Sequence, residues 1–286
     1  MTLFKQIFGL ALFVLAVNYF YPAQKKPDLV RERMIYDQSL SEVFDGEHSY
    51  INYKYGKFSS LEIYNDDKDS AILYLHGRGL SPNDYNLAHP IRTQFSGNFN
   101  TYNIQLPVLE KGSTYNDYVD ILYDSDQRII SAIEYISSKN NRLVIIAHSC
   151  GVHMLMSFIE NFHLPPQVIA IVMVGSGAVD KGQKLVTEYP YHKINIPILD
   201  IYGEYDFDLV RKEASKRKKL IKRISEKSWQ YEIKSSSHYH EDNADKVIQI
   251  VKKWLSDKST QYEIKSSSHY HEDNADKVIQ IVKKWL

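Results

Sequence analysis

Short, nearly continuous apolar runs recur along the chain: Ala71-Ile72-Leu73-Tyr74-Leu75, Leu143-Val144-Ile145-Ile146, Val168 to Val174 and Ile196 to Tyr202. Runs of this length, without polar alternation, predict strands buried on both faces, as in a parallel sheet. Phe99 to Leu106 predicts a further strand ending at Pro107, and Ser49 to Tyr55 with Ser59 to Tyr64 predicts an opening hairpin. Asn65-Asp66-Asp67-Lys68-Asp69 is a polar turn. Between the strands the period changes. Asp117 to Ser137 repeats apolar residues at helical spacing through Val119, Leu122, Ile129, Ile130, Ile133 and Ile136. Val152 to Phe162 reads as a helix stopped by Pro165-Pro166, and Leu209 to Ile224 as a basic helix. Strands alternating with helices predict an α/β fold: a mostly parallel central sheet with helices on both faces.

The two ends break this pattern. Lys5 precedes an apolar stretch, Ile7 to Val17, followed by Asn18, aromatics and Pro22. A basic residue before such a stretch resembles a secretory signal, and it approaches a membrane span when Leu3 to Tyr21 counts as one segment. Residues 1–24 are expected to be a signal peptide or an N-terminal membrane anchor, giving an exported or periplasmic protein that is attached to the inner membrane if the segment stays. Lys25, Lys26, Arg31 and Arg33 favour the alternative, the cytoplasmic face. Residues 25–44 read as a basic, Pro-containing linker and 45–255 as the folded domain. At the other end, residues 230–255 and 261–286 are identical letter for letter, an offset of 31. Each copy reads as a strand, a polar loop with a histidine, and an amphipathic helix, striped in the first copy by Ala244, Val247, Ile248, Val251, Trp254 and Leu255. One copy completes the fold, so residues 256–286 hold a surplus one.

Composition changes this picture little. The 286 residues balance 35 Lys+Arg against 35 Asp+Glu, which supplies no electrostatic reason to expect a nucleic-acid partner. Cys150 is the single cysteine, so the chain builds neither an intrachain disulfide nor a cysteine-based zinc site.

The candidate chemistry sits just beyond predicted strand ends, where sites form in open α/β sheets. Ser149 follows a buried strand within Ala147-His148-Ser149-Cys150-Gly151, where small residues two before and two after fit a sharp strand-to-helix turn that lifts the hydroxyl clear. A serine hydroxyl needs a base to become a nucleophile. His238 follows the strand of the first repeat copy and is the expected base; Asp206, in Gly203-Glu204-Tyr205-Asp206, is the expected acid that orients it. Glu204 and Asp208 are rival acids, His240 a rival base, and His269 the equivalent of His238 in the second copy. An oxyanion hole needs two N–H donors. The amide of Cys150 is one; the other comes from His76-Gly77-Arg78-Gly79, from Arg78 or, second, Gly77. His76, Gly77, Gly79, His148 and Pro107 are expected to line the substrate site, His148 alternatively packing beneath it.

Plainer readings accompany these. Ser149 also suits a helix N-cap, Asp206 a cap for the following helix, and His238 a solvated loop. Cys150 reads as a small packed residue and His153 as a helix residue. His238-Tyr239-His240-Glu241-Asp242 contains metal-ligating types, but acids at a helix start are explained by the helix dipole, and no metal or other cofactor is expected. Arg211 to Arg223 reads as a solvated basic face, or as a surface for anionic membrane.

Leu75-His76-Gly77-Arg78-Gly79, Gln105-Leu106-Pro107 and the elbow together resemble the α/β-hydrolase superfamily over residues 45–255, and within it an uncharacterised family of exported bacterial α/β-hydrolase-like proteins. The resemblance implies the α/β-hydrolase fold and a triad in the chain order Ser149, Asp206, His238. The elbow departs from the pattern by beginning with Ala147 rather than glycine. Only 21 residues separate Val174 from Ile196, which leaves room for a minimal cap or none and predicts an open, shallow site. The expected activity is carboxylic-ester hydrolysis through an acyl-enzyme, on a small-molecule or acylated substrate. The alternatives are a catalytically idle binding or envelope-associated protein, and a transferase or thioesterase with the same triad.

Overall fold

A computed structural model describes residues 24–256. The N-terminal apolar run and the second repeat copy, with His269, lie outside the described residues. The strands are β1 (Glu47–Tyr53), β2 (Gly56–Ile63), β3 (Ser70–Leu75), β4 (Asn100–Ile104), β5 (Arg142–His148), β6 (Val168–Val174), β7 (Ile198–Tyr205) and β8 (Trp229–Ser237). The helices are α1 (Leu29–Glu42), α2 (Ala88–Phe95), α3 (Tyr115–Val119), α4 (Leu122–Ser137), α5 (Cys150–Asn161), α6 (Asp208–Lys212), α7 (Ala214–Ile224) and α8 (Ala244–Ser256).

The strands form one sheet in the order β1-β2-β4-β3-β5-β6-β7-β8. β1 pairs antiparallel with β2 and β2 with β4; every other pairing is parallel. The continuous apolar runs serve two cores at once. On β3, Ala71, Leu73 and Leu75 face one core while Ile72 and Tyr74 face the other, and β5 divides Leu143, Ile145 and Ala147 from Val144 and Ile146 in the same way. The first core is closed by α4 and α5, the second by α2 and α8. A strand that must be apolar on both sides shows no alternation, which is why these runs are continuous. The first repeat copy occupies the edge as β8 and α8, with Val247, Ile248, Val251 and Trp254 buried as the stripe predicts.

Several element bounds differ from the periodicity. The predicted helix over Asp117 to Ser137 is two, α3 and α4, separated at Asp120-Ile121; the basic helix also divides, into α6 and α7 at Glu213. Helix α2 was not anticipated, although Ala88, Ile91, Arg92 and Phe95 form its buried face at helical spacing. Residues 175–197 hold one 3-10 turn, Tyr191–Lys193, and no α-helix or strand, so this segment builds no cap domain.

The largest correction concerns the predicted linker. Residues 29–42 are helix α1, started by Asp28, whose side chain accepts from Arg31 N–H. Its Glu32 meets Arg128 of α4 in a two-pronged ion pair at 2.9 and 3.1 Å, and Arg128 Nε donates to Asp124 at 2.7 Å. Arg128 is fully buried and also donates to Gln105 O. Arg31 donates to Leu109 O and to Gly79 O. The helix is fastened by charges while Leu29, Val30 and Met34 face outward, so an apolar-periodicity search passes over it. Glu32→Ala takes two charge-assisted hydrogen bonds from buried Arg128 and leaves it paired with Asp124. It should therefore lower stability by about 1.5–3 kcal/mol in urea unfolding. Unchanged stability would mean that α1 is an ornament on the domain.

Candidate active site

The turn after β5 is sharp because helix α5 begins at once against the end of β3. Ser149 has φ 54° and ψ −118°, a region that costs a non-glycine residue about 1–3 kcal/mol and persists where the surroundings enforce it. They do so here. A Cβ on Gly151 would lie 2.4 Å from Leu75 O and 2.7 Å from His76 O, so only glycine lets α5 approach β3 this closely. Ala147, fully buried, pairs with Leu75 in register.

The strand ends bring three predicted residues together. His238 Nε2 is 2.7 Å from Ser149 Oγ, and His238 Nδ1 is 2.6 Å from Asp206 Oδ1. An ionised carboxylate only accepts, so Nδ1 carries the proton and Nε2 is left to accept from the serine O–H. Burial by itself raises the Asp206 pKa. The hydrogen bond and charge of His238, with the N–H groups of Phe207 and Gly203, outweigh burial and hold the carboxyl below its ordinary value. The imidazole is clamped laterally: Phe207 stacks on it with centroids 4.4 Å apart, and His148 lies 5.2 Å away on centroids. Gly175, at φ 64°, approaches the ring so closely that a Cβ would fall 2.6 Å from His238 Cε1. Neither Phe207 nor Gly175 is singled out by sequence; a stacking partner next to the acid and a bare backbone after β6 become visible only once the strand ends are assembled.

The rival residues point elsewhere. His240 is buried with Nδ1 against Ser236 Oγ at 2.7 Å, and burial lowers its pKa to about 4. Glu204 accepts from Ser235 N–H, and Asp208 pairs with Arg211. Cys150 is buried, and burial raises its thiol to about 12, which removes thiolate chemistry. As the first residue of α5, its N–H has no partner within the helix and lies next to Ser149 in the chain. The Gly77 backbone abuts Ser149, since a Cβ on it would lie 3.2 Å from Ser149 Cβ.

Three residues expected to line the site are buried beneath it. Leu106 N–H donates to His76 Nε2 at 3.0 Å, so His76 Nδ1–H donates to Gly77 O, and the ring ties the loop after β3 to the end of β4. His148 Nε2 donates to His238 O at 3.1 Å. Burial depresses these histidines to about 4 and about 3, keeping both rings neutral. Pro107 is buried beside this junction. Apolar surroundings and backbone carbonyl partners favour such fasteners over exposed walls. Gly77 is also buried, and Gly79, at φ 66°, is half-buried against Arg31.

Arg78 carries a second feature absent from the sequence reading. Its guanidinium grips Asp180 on the loop after β6, at 2.5 and 2.8 Å, and Asp180 also accepts from Tyr115 N–H at 2.7 Å. The hydrogen bond to Arg78 holds Asp180 below the ordinary carboxylate range. His153 ties the same loop to α5, with Nε2 donating to Ala178 O and Nδ1 accepting from Tyr189. Among the described residues, no group of three or more His, Cys, Asp or Glu is placed to hold a metal ion, and no helix is long and apolar enough to cross a membrane.

No protein-family model matches the chain, and no curated protein matches it. Solved structures do. An esterase of Pyrococcus furiosus is 15% identical, with TM-score 0.57 over 76% of this chain and 94% of that one. Est1E from Butyrivibrio proteoclasticus is 12% identical, with TM-score 0.58 over 73% and 97%. A dienelactone hydrolase from Anabaena variabilis is 16% identical, with TM-score 0.55 over 74% and 97%. At these identities the similarity is one of fold, and the fold is that of the α/β-hydrolases.

Gly175→Ala tests the packing around the imidazole. The added methyl must push His238 aside, so the rate at which Ser149 reacts with a fluorophosphonate should fall about 100-fold, as misplacement of a catalytic group by about 1 Å does. A wild-type rate would show that the ring position tolerates a side chain there.

Proposed function

We propose that the chain is a serine hydrolase that cleaves carboxylic esters through an acyl-enzyme. The observation carrying this reading is the line Ser149 Oγ, His238 Nε2–Nδ1, Asp206 Oδ1, with consecutive separations of 2.7 and 2.6 Å on a serine held at positive φ. Ser149 Oγ attacks the acyl carbon while His238 Nε2 takes its proton. Asp206 stabilises the imidazolium and fixes its tautomer. The developing oxyanion is held by the N–H of Cys150 and that of Arg78, or of Gly77 in its place. His238 then protonates the leaving alcohol, and water deacylates the serine by the reverse transfer. The lack of a cap between β6 and β7 supports a substrate that presents its ester from outside, a small molecule or an acylated one.

The test is labelling by a fluorophosphonate. Intact protein should label and Ser149→Ala should not; Asp206→Asn and the double variant His238→Ala/His269→Ala should each lower turnover of p-nitrophenyl acetate by about 10⁴-fold. A folded intact protein that does not label would instead point to an idle binding protein.

A further inference from the structure

The first described residues are pinned at the end of the sheet where the site lies. Gln24 donates to Asp120 O at 3.0 Å, Lys25 N–H to Asp120 Oδ2 at 3.0 Å, and Asp28 N–H to Val108 O at 2.8 Å. Val108 and Leu109 follow the strand end that His76 fastens, and Arg31 reaches Gly79 O of the loop after β3 at 3.0 Å. Upstream, the apolar stretch Leu3 to Tyr21 stops three residues before Gln24, a reach of about 10 Å of chain. Whatever holds that stretch is therefore tethered within about 10 Å of Gln24.

The N-terminal turns of α1 present a matching surface. Leu29, Val30 and Met34 are 63%, 73% and 65% exposed, and no described side chain covers them. Lys26 and Arg33 stand exposed beside them, with Arg33 paired to Asp37 at 2.9 Å. These exposed apolar side chains offer a small patch to the acyl boundary of a lipid surface, and Lys26 beside them offers a cation to anionic headgroups, with Arg33 held by Asp37.

We propose that this face of α1 seats on an anionic lipid surface and turns the mouth of the site toward it. The substrate class then follows: acyl esters carried at the lipid surface. Lipid contact stands on the α1 face and the pinned residues alone; the substrate class rests in addition on the hydrolase reading above.

The contact is read with the full chain reconstituted in vesicles of three parts phosphatidylcholine to one of phosphatidylglycerol. An environment-sensitive fluorophore is placed at Met34→Cys and, as control, at Lys218→Cys on α7; Cys150, the native cysteine, is buried and inert. The label at position 34 should shift to the blue and be quenched by lipid-borne nitroxide, and that at 218 should do neither. Equal, weak quenching at both overturns the proposal. So does a blue shift without quenching, which would mean that protein, from this chain or a second copy, covers the face. For the substrate, the ratio of vesicle-borne ester turnover to p-nitrophenyl acetate turnover should fall about tenfold in Leu29→Ser/Val30→Ser/Met34→Ser. An unchanged ratio overturns the substrate class alone. An intact protein that never labels at Ser149 overturns the hydrolase reading and leaves the quenching result standing.

Discussion

Everything at the site hangs on one close approach, that of Gly151 to the carbonyls of Leu75 and His76. It lets α5 start directly over the end of β3, and that start forces Ser149 into a backbone conformation that no relaxed serine adopts. The strain has two consequences. The hydroxyl is held out toward the ends of β7 and β8, where His238 and Asp206 sit. The first amides of α5, beginning with Cys150 next to Ser149 in the chain, are left without helical partners. A methyl group on Gly151 would remove both at once, so this glycine is as necessary to the geometry as the serine.

Around that crossing the fold uses neutral histidines as rigid polar spacers. His76, His148 and His153 each sit in a buried place, each has a carbonyl partner, and burial depresses each to about 3 or 4. A lysine or carboxylate in such positions would demand a counter-ion; an imidazole satisfies a carbonyl at no cost in charge. His238 lies among them with a carboxylate partner, and that difference in partner, not in residue type, separates it from its neighbours. The charged fasteners lie further out. Arg128 is surrounded by Glu32 and Asp124, and Arg217 by Asp200. They weld α1, α4 and α7 to the sheet whose ends carry the chemistry.

What the sequence made legible follows from how each element is held. Strands buried on both faces must be apolar throughout, so β3, β5, β6 and β7 stood out, and their ends located Ser149, Asp206, His238 and the His76–Gly79 loop. Elements held by polar contacts left no such trace. Helix α1 is docked through Glu32 and Arg31 and read as a linker. Asp180 lies in an irregular loop and meets Arg78 across 102 positions of sequence, a distance over which no periodicity acts. Wall and support are hard to separate for a related reason: proximity in sequence to a site does not distinguish them. His76, His148 and Pro107 differ from Gly79 by burial, and burial depends on neighbours that arrive from β4, β8 and α1.

The terminal repeat illustrates what a site requires. Deleting residues 230–260 would leave the same polypeptide as deleting residues 256–286, because the two copies are identical. Either copy therefore carries all the side chains that β8 and α8 need: Ile233, Val247, Ile248 and Val251 for the core, and a histidine for the site. The repeat duplicates the histidine, as His238 and His269, but neither Ser149 nor Asp206, which lie upstream. A histidine gains its role from the carboxylate behind it and the hydroxyl in front of it. With one Ser149 and one Asp206 in the sequence, one such line can form at a time, whichever copy supplies its histidine.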